Sequence, residues 1–207
     1  MRVIKPFTEI LSPIDGDDIL KRIERAGRIC YKSEDRITPE SAQKFVASII
    51  KRGHESVLEH ISISVRFVCD RGIMAELTRH RISSFSVEST RFCNYANSEL
   101  QFIMPFYFAE SHDGEKNDAW YETMKVCESA YLTLLSLGAK PEEARSVLPN
   151  SLKTEVVMTA NLREWRTVFR QRCSKHAHPA MRELTIPLLN DLKQRIPVIF
   201  DDIEVSE

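Results

Sequence analysis

The sequence contains no apolar run of about 18 residues, the length that a membrane-spanning helix requires. Its first residues lack the apolar core of a secretory signal. No CxxC pair or other Cys/His spacing typical of a metal site occurs among the five cysteines, which are odd in number and widely spaced. We therefore expect a cytoplasmic protein with reduced, structural thiols, no bound metal and no membrane segment.

The sequence also lacks an excess of either charge. It has 29 Lys and Arg against 30 Asp and Glu, for a formal net charge of −1. This balance weighs against a general nucleic-acid binder, which carries an extended basic field. A chain of 207 residues can bury roughly 70% of its unfolded surface, so it needs no covalent or metal crosslink to fold. We expect a single domain over residues 1–207.

Residue patterning predicts an α+β fold, with an antiparallel or mixed sheet flanked by helices and a helical subdomain. Residues 2–11 are expected to be extended, with a break at Pro6. Strands are predicted where apolar and polar residues alternate over 61–67, and where Thr and Val recur over 152–160. Two return strands around a polar turn are expected at 92–95 and 100–104.

Helices are predicted where apolar stripes lie between cap and stop signals. Asp17 or Asp18 is expected to cap a helix with Ile19, Ile23, Ala26 and Cys30 on one face. Further helices are expected from Thr38-Pro39-Glu40 to Gly53, over 70–78 with Asp70 as cap, from Lys140 to before Pro149, and over 179–195. A long helix carrying Trp120, Met124 and Tyr131 is expected to end at Gly138, and its apolar stripe is core or subunit interface. A helix capped by Asn161, with Glu164 at its third position, is expected to bury Leu162, Trp165 and Phe169. Residues 109–118 are polar and indicate a surface loop, with His112 solvated.

The stretch from Arg79 to Arg91 concentrates hydrogen-bond donors. It holds three guanidiniums, one imidazole, four serine hydroxyls and one threonine hydroxyl within thirteen residues. A guanidinium matches phosphate oxygens two at a time and stays charged when partly buried. The composition favours an anion-binding segment, while the competing interpretation is a solvated basic helix end followed by a serine-rich loop.

Arg79-His80-Arg81, seven further residues and Ser89-Thr90-Arg91 match the RHR-x7-SxR signature, so the chain resembles the flavin-dependent thymidylate synthase family. Residues 53–60 are similar to the GHxSxxEH-like segment that lies beside the flavin in that family. Residues 144–149 are similar to its ARxxLP-type motif. The resemblance spans roughly residues 45–185 and implies the thymidylate synthase-complementing type of fold.

The resemblance implies a reaction and its cofactors. A methylene group would pass from 5,10-methylenetetrahydrofolate to C5 of dUMP, a hydride would come from reduced FAD, and NADPH would reduce the flavin again. Arg172 would be the catalytic residue, holding the uracil ring as an electron-rich, N3-deprotonated species without a covalent protein adduct. The implied enzyme is an FAD-dependent methyltransferase that requires NADPH.

Two sets of binding residues follow from the motif positions. The residues implied to contact dUMP are Glu76, Arg79, Glu88, Ser89, Thr90, Arg91, Arg145 and Arg172. The residues implied to contact FAD are His54, Ser56, Arg79, His80, Arg81, Asn161, Arg163 and Thr167. The family also builds its sites at subunit boundaries of a homotetramer, which we expect here.

The residues alone leave other interpretations open. Covalent thymidylate synthesis needs a cysteine with a depressed pKa. Cys93 is the cysteine close to the cationic Arg79–Arg91 stretch, and Cys173 adjoins Arg172. His54 is also compatible with a structural, hydrogen-bonded role. Arg166 and Arg170 are expected on a solvated helix face.

A second function is an arginine-rich nucleotide- or RNA-binding module without catalysis. It predicts a strong dependence of oligonucleotide binding on salt. Only Phe85 and Phe92 accompany the arginines as stacking aromatics, which argues against it. The expected partners are therefore the small molecules dUMP, methylenetetrahydrofolate and NADPH, with no nucleic acid.

Overall fold

Helices and strands interleave along the chain in the computed structural model, which describes residues 1–96, 99–109 and 114–205. The strands are β1 (Arg2–Ile4), β2 (Phe7–Ile10), β3 (Ser62–Asp70), β4 (Ser83–Val87), β5 (Gln101–Ile103) and β6 (Lys153–Asn161). The helices are α1 (Gly16–Ile29), α2 (Ser41–Lys51), α3 (Arg71–Leu77), α4 (Phe106–Ala109), α5 (Gly114–Ser136), α6 (Pro141–Ala144), α7 (Leu162–Arg172) and α8 (Pro179–Arg195). Short 3₁₀ helices cover Glu34–Arg36, Glu55–His60 and Arg145–Val147. The predicted α+β class is confirmed.

The strands form a sheet in the order β2-β3-β6-β4 and a separate β1-β5 pair. The backbone N–H of Leu11 donates to the carbonyl of Ser64 at 2.9 Å, and Arg66 bonds Glu9 at 2.9 Å, so β2 and β3 are antiparallel. β1 and β5 pair in parallel, with Val3 opposite Phe102. The alternation predicted over 61–67 is confirmed, because its apolar side chains are all buried.

The predicted strand at 92–95 is wrong. The backbone N–H groups of Phe92 and Cys93 both donate to the carbonyl of Ser89, which closes a turn and leaves those donors unavailable to a strand. The strand expected at 100–104 forms as β5. The serine-rich segment, a loop in the competing interpretation, contains β4, in which Phe85 is half-buried between exposed serines.

Two predicted caps are confirmed. The carboxylate of Asp70 accepts from the backbone N–H of Ile73 at 2.8 Å, and the Asn161 side-chain oxygen accepts from that of Glu164 at 2.9 Å. The stops at Gly53 and Gly138 are also confirmed. Both adopt positive φ, +72° and +91°, which glycine takes without a Cβ clash.

Asp15 caps α1, whereas Asp17 and Asp18 lie in its first turn, so the predicted cap is wrong by two or three residues. The buried face of the helix also differs from the predicted one. Ala26 is only half-buried and Cys30 is exposed, and the buried face includes the residues Ile19, Leu20, Ile23, Glu24 and Gly27.

α2 begins at Ser41, after the predicted Thr38-Pro39-Glu40 opening. The backbone N–H of Thr38 donates to Ser41 Oγ at 2.9 Å, and that of Ser41 donates to the Thr38 carbonyl at 3.2 Å. These bonds hold residues 38–40 in a turn, so the proline precedes the helix.

The loop predicted over 109–118 is also wrong in part. α4 ends at Ala109, and α5 already begins at Gly114, so residues 114–118 are helical. The reason is that α5 is anchored further along by buried Trp120, Met124 and Tyr131, and the helix extends beyond this buried segment through polar residues. The expectation for His112 falls outside the described residues.

Contacts divide the chain into two compact units. The first comprises Met1–Phe7, Phe67–Arg79 and Phe85–Val157, and the second comprises Thr8–Arg66, His80–Ser84 and Met158–Glu207. A single domain over residues 1–207 stays a prediction. Within the described residues, no helix is long and apolar enough to cross a membrane.

The core of the first unit surrounds α5. Tyr131 is fully buried, and the Trp120 indole N–H donates to Ser151 Oγ at 3.1 Å. The other buried members are Leu100, Phe102, Met124, Ala144 and Leu152. Of the two interpretations of the α5 stripe, core or subunit interface, the structure shows core at Trp120, Met124 and Tyr131.

The core of the second unit surrounds α7. Trp165 and Phe169 stack at a centroid distance of 5.6 Å, and Phe169 meets Phe200 edge-on at 5.4 Å. The Trp165 indole N–H donates to the carbonyl of Ile63 at 3.1 Å. The predicted burial of Leu162, Trp165 and Phe169 is confirmed.

Arg166 lies in this core, and its predicted place on a solvated face is wrong. Its side chain is fully buried and bonds Asp202 through both terminal nitrogens at 2.7 Å. It also bonds Glu55 at 3.1–3.2 Å and the carbonyl of Ile199. A buried guanidinium is tolerated when acceptors surround it, and here they come from segments far away in the sequence.

Arg166→Met should lower the free energy of unfolding by about 3 kcal/mol, because it removes the buried partner of Glu55 and Asp202. Arg170→Met is the matched control. Arg170 is 46% exposed and pairs with the same carboxylates, so its loss should cost under about 1 kcal/mol. Urea unfolding followed by circular dichroism measures both, and equal losses would contradict the assignment.

Candidate functional site

The signature segment presents its three leading side chains to different surroundings. Arg79 and Arg81 are exposed, whereas His80 between them is only 5% exposed. The cause is local, because α3 ends at Leu77 and the chain leaves it through a turn at Thr78 and Arg79, in which successive side chains point in different directions. The two arginines are thus accessible to anionic ligands, and the histidine is part of the protein interior.

His80 joins Arg172 to Glu164 in one hydrogen-bonded chain. Arg172 Nε donates to His80 Nε2 at 3.0 Å, and His80 Nδ1 lies 3.3 Å from Glu164 Oε1. Glu164 is itself buried, in the first turn of α7, while Arg172 is at the other end of the same helix. The three residues are separated by up to 92 positions in the sequence, and the sequence pattern indicated Glu164 only as part of the capped start of α7.

The geometry sets the protonation state of His80. A guanidinium only donates, so Nε2 must be an acceptor and the ring proton must be on Nδ1, directed at Glu164. Burial, together with the positive charge of Arg172, lowers the pKa of His80 to about 4. Burial also raises the pKa of Glu164. The imidazole is therefore neutral near pH 7.

The first unit brings together several residues of the predicted dUMP set. Arg145 Nη1 donates to Thr90 Oγ1 at 3.5 Å, across 55 positions of sequence. Arg91 Nε donates to Glu142 of α6 at 2.9 Å, and the neighbouring Ser89 Oγ accepts from the Arg91 backbone N–H at 3.3 Å. Arg145 and Arg91 are both exposed. Two exposed cations and two hydroxyls thus cluster near α6.

Glu88, from the same set, already has two partners within the first unit. Its carboxylate accepts from Tyr95 Oη at 2.7 Å and from Lys153 Nζ at 3.0 Å. Burial and the bond to Glu88 raise the pKa of Tyr95. Although burial opposes it, bonds to Glu155 and Glu88 raise the pKa of Lys153. Glu88 is held in place by these contacts, and its contact with dUMP stays a prediction.

Three residues of the predicted FAD set line one cleft of the second unit. The cleft has a volume of about 360 Å³ and includes His54, Ser56 and Arg163. Its other lining residues are Gly27, Cys30, Tyr31, Phe45, Ile49, Gly53, Glu55 and Val57. Imidazole, hydroxyl and guanidinium donors beside aromatic walls fit the phosphates and rings of a flavin dinucleotide.

Three of the predicted FAD contacts also have local roles in the structure. The Asn161 side chain caps α7, and Thr167 Oγ1 donates to the carbonyl of Arg163 at 3.3 Å. Arg163 Nη1 donates to Glu59 at 2.6 Å, an exposed pair. Their contacts with FAD stay predictions.

The structure argues against Cys173 as the nucleophile of a covalent mechanism. Cys173 is fully buried, and burial raises the pKa of its thiol, the opposite of what a nucleophile needs. Cys93 is half-buried. All five cysteines are described, and each is a free thiol.

Comparison with known proteins identifies the family. The family model "Thymidylate synthase complementing protein" matches residues 14–198. Flavin-dependent thymidylate synthase of Geobacter sulfurreducens is 30% identical over 184 residues, 86% of this chain and 78% of the relative. That of Mycolicibacterium vanbaalenii is 34% identical over 209 residues, which cover 92% of this chain and 82% of the relative. The probable flavin-dependent thymidylate synthase of Mycobacterium phage L5 is 35% identical over 205 residues, which cover 92% of this chain and 84% of the relative. The chain belongs to the thymidylate synthase complementing protein family, as the signature predicted.

The neutral, buried His80 makes stability depend on pH. Below pH 6.5 an unfolded histidine takes up a proton, whereas the folded one stays neutral until about pH 4, so acid stabilises the unfolded state. Between pH 6.5 and 4, the free energy of unfolding should fall by about 3 kcal/mol more in the wild type than in His80→Gln. Urea unfolding at a series of pH values measures the difference, and parallel curves would contradict a neutral His80.

Proposed function

We propose that this chain is a flavin-dependent thymidylate synthase, which converts dUMP to dTMP with 5,10-methylenetetrahydrofolate as the methylene donor and NADPH as the reductant. The observation that carries the proposal is the family match over residues 14–198. The clustering of predicted ligand residues within each unit supports it. We place the enzyme in the cytoplasm, in keeping with its reduced cysteines.

The phosphate of dUMP would bind the cationic cluster near α6. Arg91 is 59% and Glu142 39% exposed, so their ion pair contributes under about 1 kcal/mol and can exchange for a ligand phosphate. Arg145 and the Thr90 hydroxyl would bind the same group. Charge-assisted hydrogen bonds contribute about 1.5–3 kcal/mol each, so three would hold a nucleotide at micromolar concentration.

Arg172 would act at the pyrimidine edge. A fixed positive charge beside N3 favours loss of the N3 proton, because it stabilises the anion that remains. The negative charge spreads over the ring and makes C5 nucleophilic toward the methylene carbon. This route needs no activated cysteine, which agrees with the raised pKa of the Cys173 thiol.

FAD would be held by His54, Ser56 and Arg163 at their shared cleft. When bound, it supplies the hydride that completes the methyl group. The Arg163–Glu59 pair is about half exposed and can open for a phosphate at low cost. The polar side chains would therefore bind the charged part of the dinucleotide, and Tyr31 and Phe45 its rings.

A neighbouring cleft supports the use of an anionic co-substrate such as NADPH. It has a volume of about 680 Å³ and shares Tyr31, Phe45, Ile49 and His54 with the first cleft. The basic residues that line it are Arg28, Lys32, Arg36, Lys44 and Arg52, against the single acid Asp35. This excess of positive charge fits phosphate or carboxylate groups.

The RNA-binding alternative gains no support from the comparisons, and we propose that nucleic acid is not a partner.

Arg172→Ala should abolish dTMP formation, because no other group is assigned to stabilise the deprotonated uracil. Flavin should stay bound, since Arg172 does not line the cleft of His54, Ser56 and Arg163 that we propose for it. Turnover of dUMP measures the first effect and the absorbance spectrum of the purified protein the second. Arg195→Ala, which removes an exposed arginine paired with Asp191 on α8, is the control and should keep full activity. Full activity in Arg172→Ala, or a wild-type protein that cannot bind flavin, would contradict the proposal.

We also propose a homotetramer with sites shared between subunits. The α5 helix supports this, because it exposes Val126 (67%) and places it in a hollow of about 460 Å³ with Ala130 and Leu134. Val126→Glu should shift the sedimentation coefficient to a smaller species, since burying the new charge is costly. Ile37→Glu, outside α5, is the matched control and should stay tetrameric. A monomeric wild type would contradict the proposal.

A further inference from the structure

Arg172 is anchored at both ends. Its backbone carbonyl accepts from the hydroxyl of Thr185, a fully buried residue of α8, at 3.1 Å. Its side-chain Nε donates to His80 at 3.0 Å. The first bond fixes only the main chain of Arg172, whereas the second restrains its guanidinium.

We propose that His80 and Glu164 are positioning residues that hold the Arg172 guanidinium in one orientation before substrate binds. The inference rests on the proposed function of Arg172. His80 would therefore serve the reaction through Arg172, whereas the motif position alone assigned it to FAD.

The chemistry of the three groups permits one arrangement. Arg172 Nε only donates, and a carboxylate only accepts, so the imidazole between them must accept at Nε2 and donate at Nδ1. Glu164 is fixed in turn, because its backbone N–H bonds the Asn161 cap at 2.9 Å. Glu164 thereby selects the tautomer of His80 that Arg172 requires.

An unrestrained arginine side chain samples many rotamers, and only some would place its charge at N3 of uracil. The bond to a rigid, buried ring removes most of this freedom in advance. Such preorganisation raises the fraction of bound substrate that can react, so its loss should lower kcat more than it raises KM.

Three substitutions of His80 separate the two nitrogen positions. The amide oxygen of Gln reaches the position of Nε2 and can accept from Arg172. The shorter Asn reaches only the position of Nδ1 and keeps the contact with Glu164. Phe fills the ring volume with neither contact.

The test measures kcat and KM for dUMP, together with FAD affinity, in His80→Gln, His80→Asn and His80→Phe. His80→Gln should stay within about threefold of the wild-type kcat. His80→Asn and His80→Phe should lose roughly tenfold to a hundredfold, with FAD affinity unchanged. Equal activity of the Gln and Asn variants would overturn the proposal, as would a loss of FAD affinity in step with activity.

A readout without substrate keeps the inference separate from the proposed function. In a proton–nitrogen correlation spectrum of the ligand-free protein, the Arg172 Nε–H signal should be protected from exchange in the wild type and His80→Gln. It should be lost in His80→Asn and in an Arg172→Lys reference. If the wild type makes no dTMP, the proposed function fails while this signal still tests the contact. An unprotected wild-type signal would overturn the positioning role even in an active enzyme.

Discussion

A guanidinium that can donate hydrogen bonds but never accept them determines the arrangement of the second unit's polar interior. Because Arg172 Nε must find an acceptor, His80 is neutral and its remaining proton is directed at Glu164. The burial that lowers the pKa of His80 to about 4 keeps this state through the physiological pH range. One donor-only group at the end of α7 thus fixes the charge state of a residue 92 positions away.

The arginines of this chain divide by burial, and burial decides what each can do. Arg166 is fully buried among carboxylates, so its ion pairs are permanent parts of the fold. Arg91 and Arg163 are more than half exposed, and their pairs with Glu142 and Glu59 are weak enough to exchange for phosphate. The same side chain is therefore part of the core in one place and accessible from solvent in the others.

Local signals predicted the elements well where one face had to be buried. The alternation of β3, the stripe of α5 and the caps Asp70 and Asn161 were all correct. The errors arose where distant contacts override local preference. Composition places Arg166 on a surface, since nothing nearby in the sequence reveals Glu55 and Asp202 as its partners.

By itself, the sequence determined the family. The spacing of the Arg79–Arg91 signature is a property of the covalent chain, so it can be recognised without knowing how the chain packs. It also determined most elements, through periodicities of one backbone segment. Only the tertiary structure decided which arginines are accessible and which histidine is held neutral. The bonds of Arg145 to Thr90 and of His80 to Arg172 join residues 55 and 92 positions apart. Contacts of that range depend on how whole helices and strands pack, which no local pattern records.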